Sequence, residues 1–284
     1  MAEISATAVR DLRERTGAGM MDCKKALTEA AGDLARAVTL LRERGLAKAA
    51  KREGRATAEG TVAMALAGAA GALVEVGCET DFVARTDDFQ RLASELAQAT
   101  AGDASLATAE ALGAARADQI RTQAGKLGEN IVVKRVARLF EPGGWVGGYV
   151  HAGGKLGVLV ALRTAARGER LEALAKDLAM HVAAADPSPL AVDRAGVPAD
   201  AVARERELFA KQAAQTGKPE KVIEKIVEGR VNKYYAEVCL LEQAFVKDPD
   251  QSVGGLLAQA AKELGAAVAV VGFARFRLGA SVET

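Results

Sequence analysis

The sequence contains an internal repeat, which limits the fold more than any other feature of the chain. Alternating apolar residues recur 84 residues later, so that Val62, Val74 and Val76 correspond to Val146, Val158 and Val160. Apolar residues with helical spacing recur 82 residues later, so that Phe89, Leu92 and Leu96 correspond to Leu171, Leu174 and Leu178. Alternation predicts a β-hairpin with one buried face, and the wider spacing predicts a helix after it. Each copy is therefore predicted to be a small α+β unit.

The two offsets differ because the junction between strand and helix is longer in the first copy. It reads TDFVAR at residues 80–85 but only TAAR at residues 164–167. The first copy thus has a carboxylate, Asp81, and a large apolar side chain, Phe82, that the repeat does not require. Phe82 is either an exposed anchor, which would gain about 1.5–3 kcal/mol in a partner's pocket, or it folds back under its own sheet. The spacing leaves both alternatives open.

Residues 1–55 contain three short helical patterns. Gly17 is predicted to end the first helix, and Asp22 and Asp33 are predicted to cap the second and the third. This module holds 12 lysines and arginines against 8 acids, a net charge of +4. Residues 48–55 at its end are predicted to be a solvated linker.

Two adjacent methionines, Met20 and Met21, fall in the predicted loop between Gly19 and Asp22. Neighbouring side chains on a loop cannot both face one core, so at least one methionine is predicted to be exposed. Because methionine adapts well to a partner's surface, this pair is a candidate contact.

The remaining patterns complete an α+β fold with antiparallel sheets. A helical stretch near residues 109–126 precedes a strand at residues 131–139. Two charged helices with a narrow apolar stripe predict an antiparallel coiled-coil hairpin at residues 198–236. A closing helix at residues 252–264 and a strand at residues 267–278 are predicted to complete the second sheet.

These patterns divide the chain of 284 residues into three parts. Residues 1–55 are predicted to form a three-helix N-terminal domain, and residues 56–140 a core subdomain that carries the TDFVAR segment. Residues 141–284 are predicted to form a second core subdomain, with the coiled-coil insertion at about residues 190–236.

The composition excludes several classes of protein. A net charge of +1 gives no overall attraction to nucleic acid or anionic lipid, and 4% aromatic residues leave few side chains for a stacking platform. The three cysteines have no CxxC pairing, which is typical of a reducing compartment and favours the cytosol. We expect neither export nor a membrane span, because no apolar run approaches about 20 residues.

The sequence shows no catalytic constellation. It lacks HExxH, a Gly-x-Ser-x-Gly elbow and zinc-type cysteine pairs, so we expect no metal and no cofactor. Cys78 lies on the apolar side of a predicted strand, which favours buried core over a nucleophile. His181 is predicted to be a hydrogen-bonded core or interface residue. The glycines before Lys155 predict a tight turn and not a phosphate loop, and His151 beside them is either a partner contact or simply exposed.

Two long motifs resemble signatures of the bacterial translation elongation factor Ts family. Residues 12–27 read LRERTGAGMMDCKKAL, and residues 75–85 read EVGCETDFVAR. Shorter similarities follow in the same order, namely GENI at residues 128–131, AMHVAA at 179–184, GKP at 217–219 and VEGR at 227–230. The resemblance covers nearly the whole chain.

This resemblance implies a ubiquitin-associated-like helical domain, two related α+β core subdomains and a coiled-coil insertion. It also implies guanine nucleotide exchange on elongation factor Tu, which the factor would meet both GDP-bound and nucleotide-free. Such a factor performs no covalent chemistry, so we expect no enzyme, no cofactor and no direct binding of nucleotide. Membrane and nucleic acid are not required. The coiled coil offers a surface for homodimerisation or for partner contact.

The resemblance also assigns residues to the contact with the partner. Phe82 would be a wedge between helices of the partner's GTPase domain, and Asp81 its polar companion, so that the magnesium and phosphate site is disturbed. Thr80 and Val83 belong to the same motif.

A second set of contacts is carried over from the N-terminal signature. Met20 and Met21, with Arg13, would pack on a partner helix near the guanine side. His151 lies in a segment similar to one that contacts the partner in the family.

The sequence departs from the family pattern in two places. Gly77 stands where the family usually has Asn, and we expect it to loosen the strand before the wedge. The sequence ends at residues 281–284, where many members continue into a further helix, so no C-terminal contact is carried over.

A rival hypothesis is a helical docking or scaffold protein that binds another protein or an RNA through its basic N-terminal module. It predicts salt-sensitive binding that is indifferent to Phe82. A hydrolase or transferase, the third class, would need a base, a metal or a phosphate loop, which the sequence patterns lack.

Overall fold

The computed structural model describes residues 4–52 and 54–280 and has an α+β fold, as predicted. The N-terminal module contains α1 (Ala6–Thr16), α2 (Met20–Glu29) and α3 (Leu34–Ala50). The first core unit contains β1 (Glu59–Ala67), β2 (Ala70–Cys78), α4 (Asp81–Ala84), α5 (Asp87–Gly102), α6 (Ala109–Ala115), α7 (Ala117–Leu127) and β3 (Val132–Phe140). The rest of the chain contains β4 (Trp145–Val150), β5 (Leu156–Arg163), α8 (Glu169–Ala184), α9 (Ala199–Ala214), α10 (Glu220–Val238), β6 (Ala244–Phe245), β7 (Asp248–Ser252), α11 (Val253–Leu264) and β8 (Ala269–Arg277).

The internal repeat is confirmed as two antiparallel sheets with the same strand order. The first sheet has the order β1-β2-β3, and the second has the order β4-β5-β8. In each sheet a hairpin is joined by a third strand that arrives after intervening helices. Helix α5 packs on the first sheet and α8 on the second. The predicted closing strand, β8, completes the second sheet.

The prediction of one buried face is wrong for β2, which is buried along its whole length. Val74 and Val76 belong to the cluster under α5, whereas Leu73 packs with Val146 and Leu159 of the second sheet. Both faces of β2 are covered because α5 packs on one face and the second sheet packs on the other.

A buried ion pair within the first sheet also contacts the end of the second sheet. Arg135 on β3 donates to Glu75 Oε2 from Nε at 2.8 Å and from Nη2 at 2.5 Å. The same Nη2 donates to the carbonyl oxygen of Arg277 at 2.7 Å, and the guanidinium lies 4.4 Å from the ring centre of Phe276. The backbone N–H of Gly279 completes the set by donating to Glu75 Oε1 at 3.3 Å. The end of β8 is thereby attached to the first sheet.

The N-terminal module has the three predicted helices, but two boundaries differ. Gly17 ends α1 in the left-handed conformation, and the Asp33 carboxylate caps α3, as predicted. Asp22 does not cap α2, which begins earlier, after Gly19. Asp22 therefore lies in the first turn, where a carboxylate favours the positive end of the helix. The predicted linker at residues 48–55 is also wrong in its first part, because α3 continues to Ala50.

Helix α3 contacts α7 closely, and this contact holds the N-terminal module against the first core unit. A Cβ atom on Gly125 of α7 would lie 2.9 Å from the backbone of Gly45 of α3. Such a distance leaves no room for a side chain, so the glycines let the two helix backbones approach each other.

Helices α9 and α10 form the predicted helical hairpin. Their facing sides share a small apolar cluster that includes Phe209, Ile223, Val227 and Val231. The ribbon of β6 and β7, which follows the hairpin, was not predicted because its strands are too short to show a period. Residues 281–284 and Glu53 lie outside the described residues. Within the ranges that the structure describes, no helix has the length and apolar character of a membrane span.

His181 is a hydrogen-bonded core residue, as predicted. Its Nδ1 accepts from the backbone N–H of Val246 at 3.2 Å, so the proton of the neutral ring is on Nε2, which donates to Gln243 Oε1 at 3.0 Å. Gln243 Nε2 in turn donates to the carbonyls of Pro187 and Glu237. Burial lowers the pKa of His181 below its ordinary value of 6.5.

We expect Gly125→Ala to lower the free energy of unfolding by about 1–3 kcal/mol, because the added methyl group pushes α3 away from α7. Gly113→Ala is the matched control on α6, where an added Cβ meets nothing within 4 Å. The control should gain about 0.5–1 kcal/mol from helix propensity. Denaturant unfolding of both variants measures the difference, and equal effects of the two substitutions would contradict the close contact.

We expect part of the stability to depend on the protonation of His181. In the unfolded chain His181 binds a proton near pH 6.5. In the folded chain it is protonated only at a lower pH, because burial lowers its pKa. The contribution of His181 is therefore complete above about pH 6.5 and is lost as the pH falls below it, with a slope of at most about 1.4 kcal/mol per pH unit. Unfolding of the native chain and of His181→Gln between about pH 7.5 and about pH 5.5 tests this. An unchanged pH dependence in His181→Gln would refute the prediction, and the exposed His151→Gln serves as control.

Candidate protein-interaction site at the first strand-to-helix junction

A single turn of helix, α4, connects β2 to α5 and carries the segment that the repeat does not require. Thr80 precedes this turn, and its hydroxyl accepts from the backbone N–H of Val83 at 3.4 Å. Ala84 at the other end of the turn is buried in the core. Phe82 points outward with 81% of its surface exposed. The structure thus decides between the two alternatives for Phe82 and excludes the one in which it folds back under the sheet.

At the start of this turn, Glu79 and Glu129 each accept hydrogen bonds from the backbone of the other's segment. Glu129 Oε2 accepts from the backbone N–H groups of Glu79 and Thr80, both at 3.0 Å, and Glu129 Oε1 accepts from the Thr80 hydroxyl at 2.5 Å. In the opposite direction, Glu79 Oε1 accepts from the backbone N–H of Asn130 at 2.7 Å. This bond, with help from Arg55 at 3.4 Å, holds the pKa of Glu79 below its usual value.

The flanks of the turn are also fixed by polar contacts. Arg85 lies 3.0 Å from the carboxylate of Asp81, one helical turn away. The Thr86 hydroxyl donates to the carbonyl of Val83 at 2.8 Å and caps α5. Gln90 donates to the carbonyl of Ala84 at 2.7 Å. Phe82 is therefore an exposed apolar side chain on a turn whose flanks are held by polar contacts.

The turn between β4 and β5 lies beside α4. A cavity of about 280 Å³ separates them, lined by Glu59, Gly60, Asp81, Ala84, Arg85, Gln90, Gly153, Gly154 and Lys155. The predicted tight turn is confirmed, because the N–H of Gly154 donates to the carbonyl of His151 at 3.0 Å. His151 is exposed, and its Nδ1 lies 2.9 Å from the hydroxyl of Tyr149. The structure thus brings Asp81 and the turn after His151 to one rim.

Met20, Met21 and Arg13 belong to a different surface, at the end of α1 and the start of α2. Met20 and Met21 are 58% and 65% exposed, so the prediction that at least one is exposed is confirmed. The loop predicted for them is wrong, since both lie in the first turn of α2. Arg13 is exposed in the last turn of α1. None of the three lines the cavity beside α4.

Gly77 lies opposite Gly60 on β1 and Val132 on β3, one residue beyond a register shift between Glu75 and Val76 in the β2–β3 ladder. A Cβ atom at this position would come within 2.7 Å of Lys134 Cε and 3.1 Å of Thr57 Oγ1. Neighbouring side chains therefore occupy the space that a larger residue at position 77 would need.

Cys78 is part of the core, as predicted. Burial raises the pKa of its thiol to about 12, and Sγ lies 3.2 Å from the carbonyl oxygen of Thr80. Among the residues that the structure describes, no three His, Cys, Asp or Glu side chains are grouped so that they could hold a metal ion.

Sequence reasoning missed Glu79, Glu129 and Asn130 as parts of this site. Glu129 and Asn130 belong to the GENI segment, which the resemblance included without giving it a role. A local signal placed Glu129 in the connection between α7 and β3, because it directly follows Gly128, the left-handed residue that ends α7. Nothing local indicated that it would meet Thr80, which is 49 residues away.

Comparison with known proteins agrees with the resemblance. A family model described as Elongation factor TS matches residues 79–280. The chain is 47% identical to elongation factor Ts of Prosthecochloris aestuarii, over 99% of this chain and 100% of that protein. It is 49% identical to elongation factor Ts of Paramagnetospirillum magneticum, over 100% of this chain and 94% of that protein. For the same factor of Clostridium acetobutylicum the identity is 45%, over 99% and 94%. With these matches over nearly its whole length, the chain belongs to the elongation factor Ts family.

Proposed function

We propose that this protein is a guanine nucleotide exchange factor for elongation factor Tu, acting in the cytosol during translation elongation. The observation that carries the proposal is the exposure of Phe82 on a turn whose neighbouring residues are held in place. A large apolar side chain that contributes little to its own core is suited to a partner's pocket.

In this proposal Phe82 enters between helices of the partner's GTPase domain, with Asp81 as its polar companion. The insertion disturbs the partner's magnesium and phosphate site and so weakens the binding of GDP. Met20, Met21 and Arg13 contact a partner helix near the guanine side, and His151 adds a contact from the turn beside α4. The protein itself forms and breaks no covalent bond, so it is not an enzyme in this scheme.

The energetics of exchange follow from linkage. A factor that binds the nucleotide-free partner more tightly than the GDP-bound partner must weaken GDP binding by the same ratio. A shift from mostly bound to mostly free nucleotide needs about 5.5 kcal/mol, whereas burial of one phenylalanine supplies about 1.5–3 kcal/mol. Several contact surfaces must therefore act together, and Phe82 can carry a large share because it is exposed in the free protein.

The rival docking hypothesis differs in what it predicts for Phe82. Binding through the basic N-terminal module would weaken steeply with added salt and would not depend on the turn at α4. The exposed apolar wedge favours exchange.

We expect Phe82→Ala to slow the release of a fluorescent GDP analogue from elongation factor Tu by about tenfold or more, because its burial in the partner is lost. Its own unfolding free energy should change by less than about 0.5 kcal/mol, since the side chain is exposed in the free protein. Phe140→Ala is the matched control, because Phe140 is also an exposed phenylalanine, at 55%, on the same core unit.

Stopped-flow fluorescence gives the release rate for each variant. Equal rates for the native chain and Phe82→Ala would contradict the wedge. No acceleration by the folded native chain would contradict exchange altogether and favour the docking hypothesis.

We expect the double substitution of Met20 and Met21 by alanine to raise the concentration of factor needed for half-maximal release by about tenfold. The maximal rate should change much less, because a contact that holds the complex together equally before and after release affects affinity alone. Leu66→Ala, at an exposed leucine near the end of β1, is the control and should leave both quantities unchanged. A fall in the maximal rate without a change in half-saturation would show that the methionines act on release itself.

A further inference from the structure

The pairing between β2 and β3 ends before the turn that carries Phe82. The last paired residues are Gly77 and Val132. Continued in the same register, Glu79 would face Asn130, and Thr80 would face Glu129. Backbone pairing is absent at these positions in the described ladder, and the two glutamate carboxylates take its place by accepting the N–H groups of the facing strand. Side chains thus extend the sheet for two more residues, up to the start of α4.

Glu129 also acts on α4 through the Thr80 hydroxyl. That hydroxyl donates its proton to Glu129 Oε1 at 2.5 Å, so its lone pairs remain free to accept the N–H of Val83 at 3.4 Å. A carboxylate, which only accepts hydrogen bonds, fixes this direction of donation. The N-terminal cap of α4 therefore depends on a residue from another part of the chain.

A helix of four residues has no stability of its own, because forming the first turn costs more than its hydrogen bonds return. Its cap and the buried Ala84 must hold it. Phe82, which is 81% exposed, takes its direction from this turn. A side chain that is already directed outward loses less conformational freedom when a partner binds it.

We propose that Glu129 is a positioning residue for Phe82: its carboxylate holds Glu79 and Thr80 so that α4 presents the phenyl ring to the partner in one direction. Glu79 supports it from the opposite strand through Asn130. The inference concerns the free protein, and its effect on nucleotide release rests on the proposed function.

The first test measures the free protein and does not require exchange activity. A nitroxide spin label is attached to Phe82→Cys, and labelling is selective because Cys23, Cys78 and Cys239 are buried. We expect Glu129→Ala to make the label clearly more mobile in its electron paramagnetic resonance spectrum. Glu129→Gln should give an intermediate spectrum, because the amide oxygen can keep the two N–H bonds but its NH2 group faces the Thr80 hydroxyl.

The control is Glu263→Ala, which removes an exposed ion pair with Arg170 on the second core unit and should leave the label unchanged. Circular dichroism confirms that each variant is folded. An unchanged spectrum in folded Glu129→Ala would overturn the proposal. If Glu129→Ala does not fold, Glu129→Gln decides in the same way.

The second test is a double-mutant cycle on the release of the fluorescent GDP analogue. Glu129→Ala should slow release by about fivefold to tenfold when Phe82 is present, and by less than about twofold in the Phe82→Ala background. Equal slowing in both backgrounds would overturn positioning, because a general loss of stability does not depend on the wedge. If the native chain accelerates nothing, the proposed function fails, and the spin-label spectra alone decide on Glu129.

Discussion

The burial of β2 on both faces is the constraint on which the rest of the structure depends. One face meets the helices of its own unit, and the other meets the second sheet around Leu73 and Glu75. A strand held in this way has little freedom to shift in register, because a shift of one residue would exchange its two buried faces. The segment that follows β2, including the turn that carries Phe82, therefore starts from a fixed position.

The exposed phenylalanine then has to be held without a core of its own. The molecule does this with polar contacts, since Glu79 and Glu129, the threonine cap and the Gln90 amide bond to backbone groups on both sides of Phe82. Charged hydrogen bonds are stronger than neutral ones and are directional, so they define a backbone turn while leaving an apolar ring in water. The surface thereby combines a turn held by hydrogen bonds with an apolar side chain that is exposed to water.

Much of this architecture could be predicted from the sequence. The repeat fixed the two sheets because its period survives in apolar residues such as Val74 and Val158, and Gly17 and Asp33 marked helix boundaries by local chemistry alone. Two of the failures have a common physical cause, namely that they depend on contacts between distant segments. Burial of the second face of β2 requires the other sheet, and the role of Glu129 requires that it meet Thr80. Met20 is helical because α2 begins without a side-chain cap, at a glycine that gives no specific signal.

The close contact between α3 and α7 at Gly45 and Gly125 holds the module that carries the methionines against the unit that carries Phe82. A partner held at one surface therefore meets the other as an intramolecular event, at an effective concentration set by a rigid spacer and not by a flexible linker. Such a spacer gives large avidity for a partner whose own two surfaces match the span, and almost none for a partner that differs by a few ångströms. In the proposed exchange factor, selectivity of this kind depends on two residues that lack side chains and that touch no partner themselves.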